Sequence, residues 1–302
     1  MRNTPASGSR YLVGLVGEGI TASLTPALHE VEAAELGLDY EYRIHDLLEL
    51  GRRPEEIGAI LWDARSAGYV AMNVTHPCKQ LVLGVVDVLE PDAARLGAVN
   101  LVVFEPDRTV GHNTDWMGYR DGLAAGLPDA SLAQVLQVGC GGAGAATAYA
   151  LLSSGAAQLV LTDTDGRRAS HLAARMTELF PEQRITTVHV DDLATAIRHA
   201  SGIVHATPMG MSHHPGVAFD LDLLTPGAWI SDVVYRPLDT ELLKGAAERG
   251  HPVLDGGRMA VGQACASLRI ITGVDPDRDR MDRHFRALVR AEERAASGGS
   301  SP

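Results

Sequence analysis

The sequence predicts an α/β protein of two domains built around parallel sheets. Three observations carry that expectation. Short apolar runs alternate with longer helix-like runs almost throughout the chain. A glycine-rich turn, Gly139-Cys140-Gly141-Gly142-Ala143-Gly144, stands between a strand-like and a helix-like run near the middle. A length of 302 residues with 45% hydrophobic composition suffices for two ordinary cores.

Taken in order, residues 11–16 read as a strand, 26–36 as a helix, 41–45 as a strand, 54–67 as a helix and 69–73 as a strand. Pro77 marks the start of a further helix, since proline suits the first helical position. Residues 99–104 form the next strand, with Asn100 inside it, and Pro106-Asp107 makes a turn. From Gln134 the alternation resumes. Strands fall at 135–138, 158–162, 185–190, 202–206, 229–233 and 252–254, and helices at 143–154, 167–180 and 193–199. The last part is helical, with Met281, Phe285, Leu288 and Val289 on one face. The ends, 1–9 and 297–302, read as disordered polar tails.

Composition narrows the function. A net charge of −12 and a pI near 5.4 argue against nucleic acid and anionic membranes as partners. No apolar run reaches membrane-spanning length, and the N-terminus lacks a signal core. The three cysteines, Cys78, Cys140 and Cys265, are odd in number and widely spaced. That fits a reducing cytoplasm better than a disulfide or zinc framework. The twelve histidines form no metal-ligand pattern, and no metal is expected.

Within the glycine turn, Gly139, Gly141 and Gly144 form G-x-G-x-x-G. They supply the tight turn, the close approach of backbone to a pyrophosphate, and the close packing of helix on strand. The helix start adds unpaired N–H groups for the phosphates. Asp163 closes the next strand, 24 residues after Gly139. A carboxylate there accepts bonds from the adenosine ribose and repels a 2′-phosphate, which favours NAD over NADP, although Arg167 and Arg168 stand close by. Thr207-Pro208-Met209-Gly210 follows a strand end and suits the nicotinamide half.

The first part carries the polar residues. Thr25 reads as an N-cap with Pro26 behind it, and Ser23 brings a second hydroxyl to the same helix start, a local anion site. Lys79 sits behind Pro77 at the positive end of the expected helix, where the dipole disfavours its charge. Balanced by a carboxylate, such a lysine can exchange a proton with a substrate hydroxyl. Asp115 is either a helix cap or that carboxylate. Asn100 needs a partner, structural or ligand. Gln263 falls on the helix that returns to the first domain.

In sequence order, Ser23-x-Thr25-Pro26-x-x-His29, Asn73-Val74-Thr75-x-Pro77-x-Lys79, Gly97-Ala98-Val99-Asn100, Asn113-Thr114-Asp115-x-x-Gly118, the glycine turn, Ala206-Thr207-Pro208-Met209-Gly210 and the Gln263 segment resemble the shikimate dehydrogenase family. They are most similar to its NAD-using quinate/shikimate branch, over about residues 11–290. The resemblance implies a substrate domain of residues 1–117 plus 260–302, with a Rossmann-type NAD domain, 118–259, inserted. It implies reversible oxidation of the ring C3 hydroxyl of shikimate or quinate.

Carried onto this chain, the resemblance implies Ser23 and Thr25 at the substrate carboxylate and Thr75, Lys79, Asn100, Asp115 and Gln263 at the ring hydroxyls. Tyr235 falls on the substrate side, and Lys79 and Asp115 form the catalytic pair. The implied cofactor residues are Gly139, Gly141, Gly142, Ala143, Gly144, Asp163, Arg168, Ala206, Thr207, Pro208, Met209, Val233, Gly256 and Met259. Three departures stand out. Thr25 replaces the serine usual in strict shikimate dehydrogenases, Asp163 replaces the Asn-Arg-Thr segment of NADP-using members, and Arg258 stands where many members have glycine. A homodimer is compatible with the sequence. The rival readings are a shikimate-specific, NADP-using dehydrogenase and a non-catalytic sensor of NAD and a cyclohexene acid, which would lack Lys79 or Asp115.

Overall fold

The computed structural model describes residues 10–298. The ends at 1–9 and 299–302 lie outside them, while Ser297 and Gly298, expected in a tail, close the last helix. The chain forms two compact units: residues up to Thr114 with Gln263–Phe285, and Asp115–Gly262 with the residues from Arg286.

The first unit contains β1 (Arg10–Gly17), α1 (Thr25–Glu35), β2 (Asp39–Asp46), α2 (Leu47–Leu50), α3 (Ile57–Ser66), β3 (Ala71–Val74), β4 (Val88–Leu89), α4 (Pro91–Leu96), β5 (Leu101–Phe104) and β6 (Thr109–His112). Its six strands run in the order β2-β1-β3-β5-β6-β4. β1 is parallel to β2 and β3, but β5 is antiparallel to β3 and to β6. The sheet is therefore mixed rather than parallel. The cause is local: Glu105 N–H bonds the Arg108 carbonyl at 2.9 Å and closes a hairpin around Pro106-Asp107, whereas parallel neighbours need a crossover. Val13, Val16, Met72, Val74, Leu101 and Val102 form the buried centre of the sheet. Glu32, buried in α1, accepts two 2.7 Å bonds from Arg280 and one from Asp277 N–H. This charge-assisted fork ties the 263–285 stretch to α1.

The second unit contains α5 (Asp115–Gly126), β7 (Val135–Val138), α6 (Gly142–Ser153), β8 (Gln158–Thr162), α7 (Gly166–Leu179), β9 (Arg184–Thr187), α8 (Leu193–Ile197), β10 (Gly202–His205), β11 (Trp229–Asp232), α9 (Glu241–Glu248) and β12 (Val253–Leu254). The chain leaves this unit within α10 (Gly257–Thr272) and re-enters it within α11 (Arg278–Gly298). Its six strands, in the order β12-β11-β10-β7-β8-β9, are all parallel. Strand order reverses between β7 and β10, where such sheets open a crevice for ligands. β7 and β10 are buried along their whole length, as central parallel strands must be when helices cover both faces. α7 turns Ala169, Leu172 and Met176 inward on one stripe.

Two further readings from sequence change. β9 stops at Thr187 because His189 caps a 3₁₀ turn at Val190–Asp192. The end of α11 belongs with the second unit, where the sequence division of 260–302 gave it to the first. Arg286 pairs with Asp255 at 2.9 Å and Arg236 with Glu292 at 3.1 Å, and all four residues lie in the second unit.

Candidate active site

In the first unit the loop after β1 is shaped by Asp46. Its carboxylate accepts N–H bonds from Gly19 (3.0 Å), Ile20 (2.6 Å), Thr21 (3.2 Å) and Leu48 (3.1 Å). Burial alone raises this carboxyl, but the four backbone donors outweigh it and hold it below the usual carboxylate range. The chain then enters α1. Ser23 Oγ donates to Thr25 Oγ1 at 3.1 Å and accepts from Thr25 N–H at 3.3 Å. Thr25 is thus the first residue of α1 and not its N-cap; Leu24 holds the cap position, and it makes no side-chain cap bond. The two hydroxyls expected at one helix start are adjacent. Asp46 escapes a motif-based reading, although a lone acid closing β2 ahead of Leu47-Leu48 is a legible capping signal.

No α-helix follows Pro77. Residues 76–80 turn, and a 3₁₀ helix spans Leu81–Gly84. The Lys79 carbonyl, which a helix would use internally, accepts from Val99 N–H at 2.9 Å. The dipole argument for Lys79 therefore fails, and the exit of β3 sets its position instead. Thr75 is held by its own N–H on the Val16 carbonyl at 2.9 Å. Gly17 makes room for this crossing: a Cβ there would stand 2.4 Å from Thr75 Cγ2 and 2.8 Å from the His76 carbonyl oxygen. Cys78 beside Lys79 is buried, and burial, with Glu18 and Glu55 adding, pushes its thiol up to about 11. It is a neutral packing group rather than a nucleophile.

Asn100 lies at a bend just before β5 and not inside the strand. Its Oδ1 accepts Thr114 N–H at 2.7 Å and its Nδ2 donates to Thr114 Oγ1 at 2.9 Å, so it has a structural partner. Thr114 Oγ1 also bonds Ser267 Oγ at 3.1 Å. Asn73 Nδ2 donates to Ser267 Oγ at 3.3 Å, and Tyr42 OH donates to Asn73 Oδ1 at 2.9 Å. Gln263, half-buried, stands one turn ahead of Ser267 on α10. Asp115 follows Thr114 directly in the chain and is the first residue of α5. Asn73 and Thr114 sit inside motifs already read as functional. Tyr42 and Ser267 carry no local signal, because only the fold brings them together.

The second unit holds the expected cofactor residues. β7 and β10 end side by side at the reversal point. Gly139 has φ +103°, and a Cβ on it would lie 2.4 Å from the Ala206 carbonyl oxygen and 2.8 Å from Thr207 Cγ2. A Cβ on Gly144 would meet the Gly139 carbonyl oxygen at 2.3 Å. Gly141 and Gly142, by contrast, have open space where a side chain would project. With Ala143 and Gly144 they lead into α6, whose first N–H groups have no acceptor within the helix. The tight turn, the open approach and the close helix packing that a dinucleotide requires are all met.

Asp163 Oδ2 accepts Cys140 N–H at 2.7 Å and Oδ1 accepts Asp165 N–H at 2.9 Å. The cap of α7 is Asp165, which accepts Arg167 N–H at 3.0 Å, so Asp163 is tied to the glycine turn rather than spent on the helix. The Arg168 guanidinium is exposed, 3.9 Å from Asp165. Val233 and Gly256 meet closely: a Cβ on Gly256 would lie 2.3 Å from the Val233 carbonyl oxygen. Met209 and Tyr235 are exposed, Pro208 lies in the bend after Thr207, and Met259 is half-buried in the first turn of α10. Arg258 packs its backbone against Gly122, where a Cβ would come within 3.2 Å. Cys140 is buried, and burial, then Asp163, pushes its thiol up to about 12.

Gln137 is the residue that motif reading passes over. It is fully buried in β7, donates Nε2 to the carbonyls of Gly139 (3.0 Å) and Gly144 (2.8 Å), and accepts from Thr147 Oγ1 (2.8 Å). The available signal is one polar residue in the run Val135-Leu136-Gln137-Val138. Among the described residues no cluster of His, Cys, Asp or Glu is arranged to hold a metal ion, and no helix is long and apolar enough to cross a membrane.

Known proteins share this arrangement. The family described as the shikimate dehydrogenase substrate binding domain matches residues 15–102. The chain is 54% identical to the shikimate dehydrogenase (NADP(+)) of Pseudarthrobacter chlorophenolicus, over 95% of this chain and 98% of that one. It is 46% identical to the quinate/shikimate dehydrogenase (NAD(+)) of Corynebacterium efficiens, over 92% and 98%. The solved structure of quinate dehydrogenase from Corynebacterium glutamicum in complex with NAD superposes with a TM-score of 0.88 at 42% identity, covering 92% of this chain and 99% of that one. A Rossmann-type second unit, the motifs ahead of it and relatives this similar over nearly their full length agree: the chain belongs to the shikimate dehydrogenase family.

Proposed function

We propose that the protein catalyses the reversible, NAD-dependent oxidation of the C3 hydroxyl of shikimate and quinate, giving the 3-dehydro acids. The observation that carries the cofactor choice is Asp163, a carboxylate at the end of β8 tied to the glycine turn at 2.7 Å. It stands where a ribose hydroxyl is bound and a 2′-phosphate repelled. The NAD-named relative at 46% identity and the NAD complex at 42% support the same choice. Thr25, in place of the serine of strict shikimate dehydrogenases, supports acceptance of quinate. A cytoplasmic location belongs to the same reading, supported by the odd number and wide spacing of the three cysteines.

The bound nicotinamide supplies the acceptor for the hydrogen and electron pair that leave C3. The chain's own groups do the rest. Ser23 and Thr25 orient the substrate by its carboxylate, while Thr75, Asn100 and Gln263 hold ring hydroxyls and Tyr235 covers the substrate side. Lys79 takes the proton of the C3 hydroxyl as the carbonyl forms, and Asp115 orients and polarises the same hydroxyl. Positioning lowers the entropic part of the barrier, and proton transfer of this kind contributes roughly 10²–10⁴ in rate.

A second reading, NADP-linked and confined to shikimate, is favoured by the NADP-named relative at 54% identity and by the exposed Arg168 guanidinium at the start of α7. The deciding experiment is kcat/KM for shikimate and for quinate with each cofactor. NAD preferred and both acids turned over is the expected result. Equal or better use of NADP overturns the cofactor choice, and turnover of shikimate alone overturns the substrate breadth. NAD binding without turnover of either acid would mean a sensor.

A further inference from the structure

Behind the turn that follows β10 lies a buried chain of polar groups that no step above uses. His205 ends β10 and Asp232 ends β11, with side chains 1% and 0% exposed. His205 Nδ1 bonds Asp232 Oδ1 at 3.0 Å, and Nε2 bonds Thr207 Oγ1 at 2.5 Å. Asp232 also accepts Val234 N–H at 3.0 Å and the Thr240 hydroxyl at 2.8 Å. Thr240 in turn caps α9 by accepting Leu243 N–H at 3.3 Å. A carboxylate only accepts, so His205 Nδ1 carries a proton. Nε2 bonds the Thr207 hydroxyl, whose oxygen takes Met209 N–H at 3.2 Å. A continuous run of bonds therefore links α9 to the 207–210 turn. An apolar side chain would complete the run Gly202-Ile203-Val204 without burying an imidazole and a carboxylate, so packing does not account for this pair.

We infer that His205 is a positioning residue for the cofactor: acting through Thr207, it holds the 207–210 turn in the shape that receives the nicotinamide end, while Asp232 and Thr240 hold His205. The inference rests on the reading that this turn meets the nicotinamide. It assigns the two ring nitrogens separate tasks, Nδ1 to stability and Nε2 to the cofactor.

Two substitutions separate those tasks. His205→Asn keeps a donor near the Nδ1 position for Asp232 but stops short of Thr207. His205→Gln reaches Thr207 but offers nothing at the Nδ1 position. Calorimetric titration of the full chain with NAD and with ADP-ribose, which lacks the nicotinamide ring, reads the first task, and thermal unfolding reads the second. The Asn variant should bind NAD about three- to tenfold more weakly, the scale of one hydrogen bond, with ADP-ribose affinity and melting temperature close to wild type. The Gln variant should melt lower and bind NAD within about twofold of wild type, since it keeps that bond. Equal loss of NAD and ADP-ribose in the Asn variant, or unchanged NAD affinity, overturns the inference. Should the Asn variant not fold, a nicotinamide-specific loss in the Gln variant overturns it, and retention of NAD affinity supports it. NADP and 2′-phospho-ADP-ribose run in parallel, so that a mistaken cofactor choice appears as a wild-type preference and leaves the Asn–Gln comparison intact.

Discussion

Replacing Gln137 with methionine keeps the length and bulk of the side chain and deletes three buried hydrogen bonds, to the Gly139 and Gly144 carbonyls and from Thr147 Oγ1. The three losses are unequal. Thr147 Oγ1 still donates to the Gly144 carbonyl at 3.1 Å, so that pair keeps a bond, while the Gly139 carbonyl loses the Gln137 donor altogether. A buried acceptor left unmade costs about 1–3 kcal/mol, and each bond lost with compensation about 0.5–1.5 kcal/mol. The sum is about 2–6 kcal/mol, which for a domain of this size lowers the melting temperature by about 4–24 °C. Because Gly139 packs against Ala206, the same loss loosens the dinucleotide cradle, and the KM for NAD should rise several-fold while that for shikimate holds. Thermal unfolding by circular dichroism and steady-state kinetics with each substrate varied in turn read both effects. A lowered melting temperature with an unchanged KM for NAD would show that the turn keeps its shape without Gln137, and would refute the reasoning.

Three further outcomes follow from the geometry and the proposed chemistry. Lys79→Ala should lower kcat by roughly 10²–10⁴ with a smaller change in KM; stopped-flow turnover that changes only in KM would make Lys79 a binding residue. Asp163→Ala should cut kcat/KM for NAD by about tenfold, the scale of a bond to a charged group, and raise relative use of NADP; an unaltered cofactor ratio removes Asp163 from the selection. Burial holds the His29 imidazole down at about 3. Folded His29 thus stays neutral between about pH 3 and 6.5, whereas the unfolded chain binds a proton there. Stability should be fully present above about 6.5 and fall as the pH drops, by up to about 1.4 kcal/mol per unit from this residue. Urea unfolding at several pH values should show a shallower slope in His29→Gln, and an equal slope in both proteins would contradict the assignment.

The second unit was the more legible half. Its central strands β7, β8 and β10 are buried almost throughout and read as mostly apolar runs; the strand at 158–162 has the same bounds in sequence and structure. The glycine roles were legible because each is a steric demand on one residue, as the 2.4 Å approach at Gly139 shows. The first unit was harder. β5 and β6 pair as a hairpin, a relation that apolar alternation does not encode. Pro77 looked like a helix start, yet the Lys79 carbonyl goes to Val99, twenty residues away in the chain. The helix dipole that the local sequence around Lys79 implies is therefore absent from the fold. The support of the site was the least legible part. Asp46, Gln137 and Ser267 hold loops through bonds to backbone or to distant side chains, and no spacing rule links Ser267 to Asn73.

The central claim is that a hydrogen passes directly from C3 of the substrate to the nicotinamide while Lys79 takes the hydroxyl proton. Shikimate deuterated at C3, incubated with the enzyme and NAD in ordinary water, tests it most directly. NADH carrying the deuterium at the nicotinamide ring, formed by the wild type and roughly 10²–10⁴-fold more slowly by Lys79→Ala, is the predicted result. NADH carrying only solvent hydrogen, or no reduction of NAD or NADP with either acid, would contradict it.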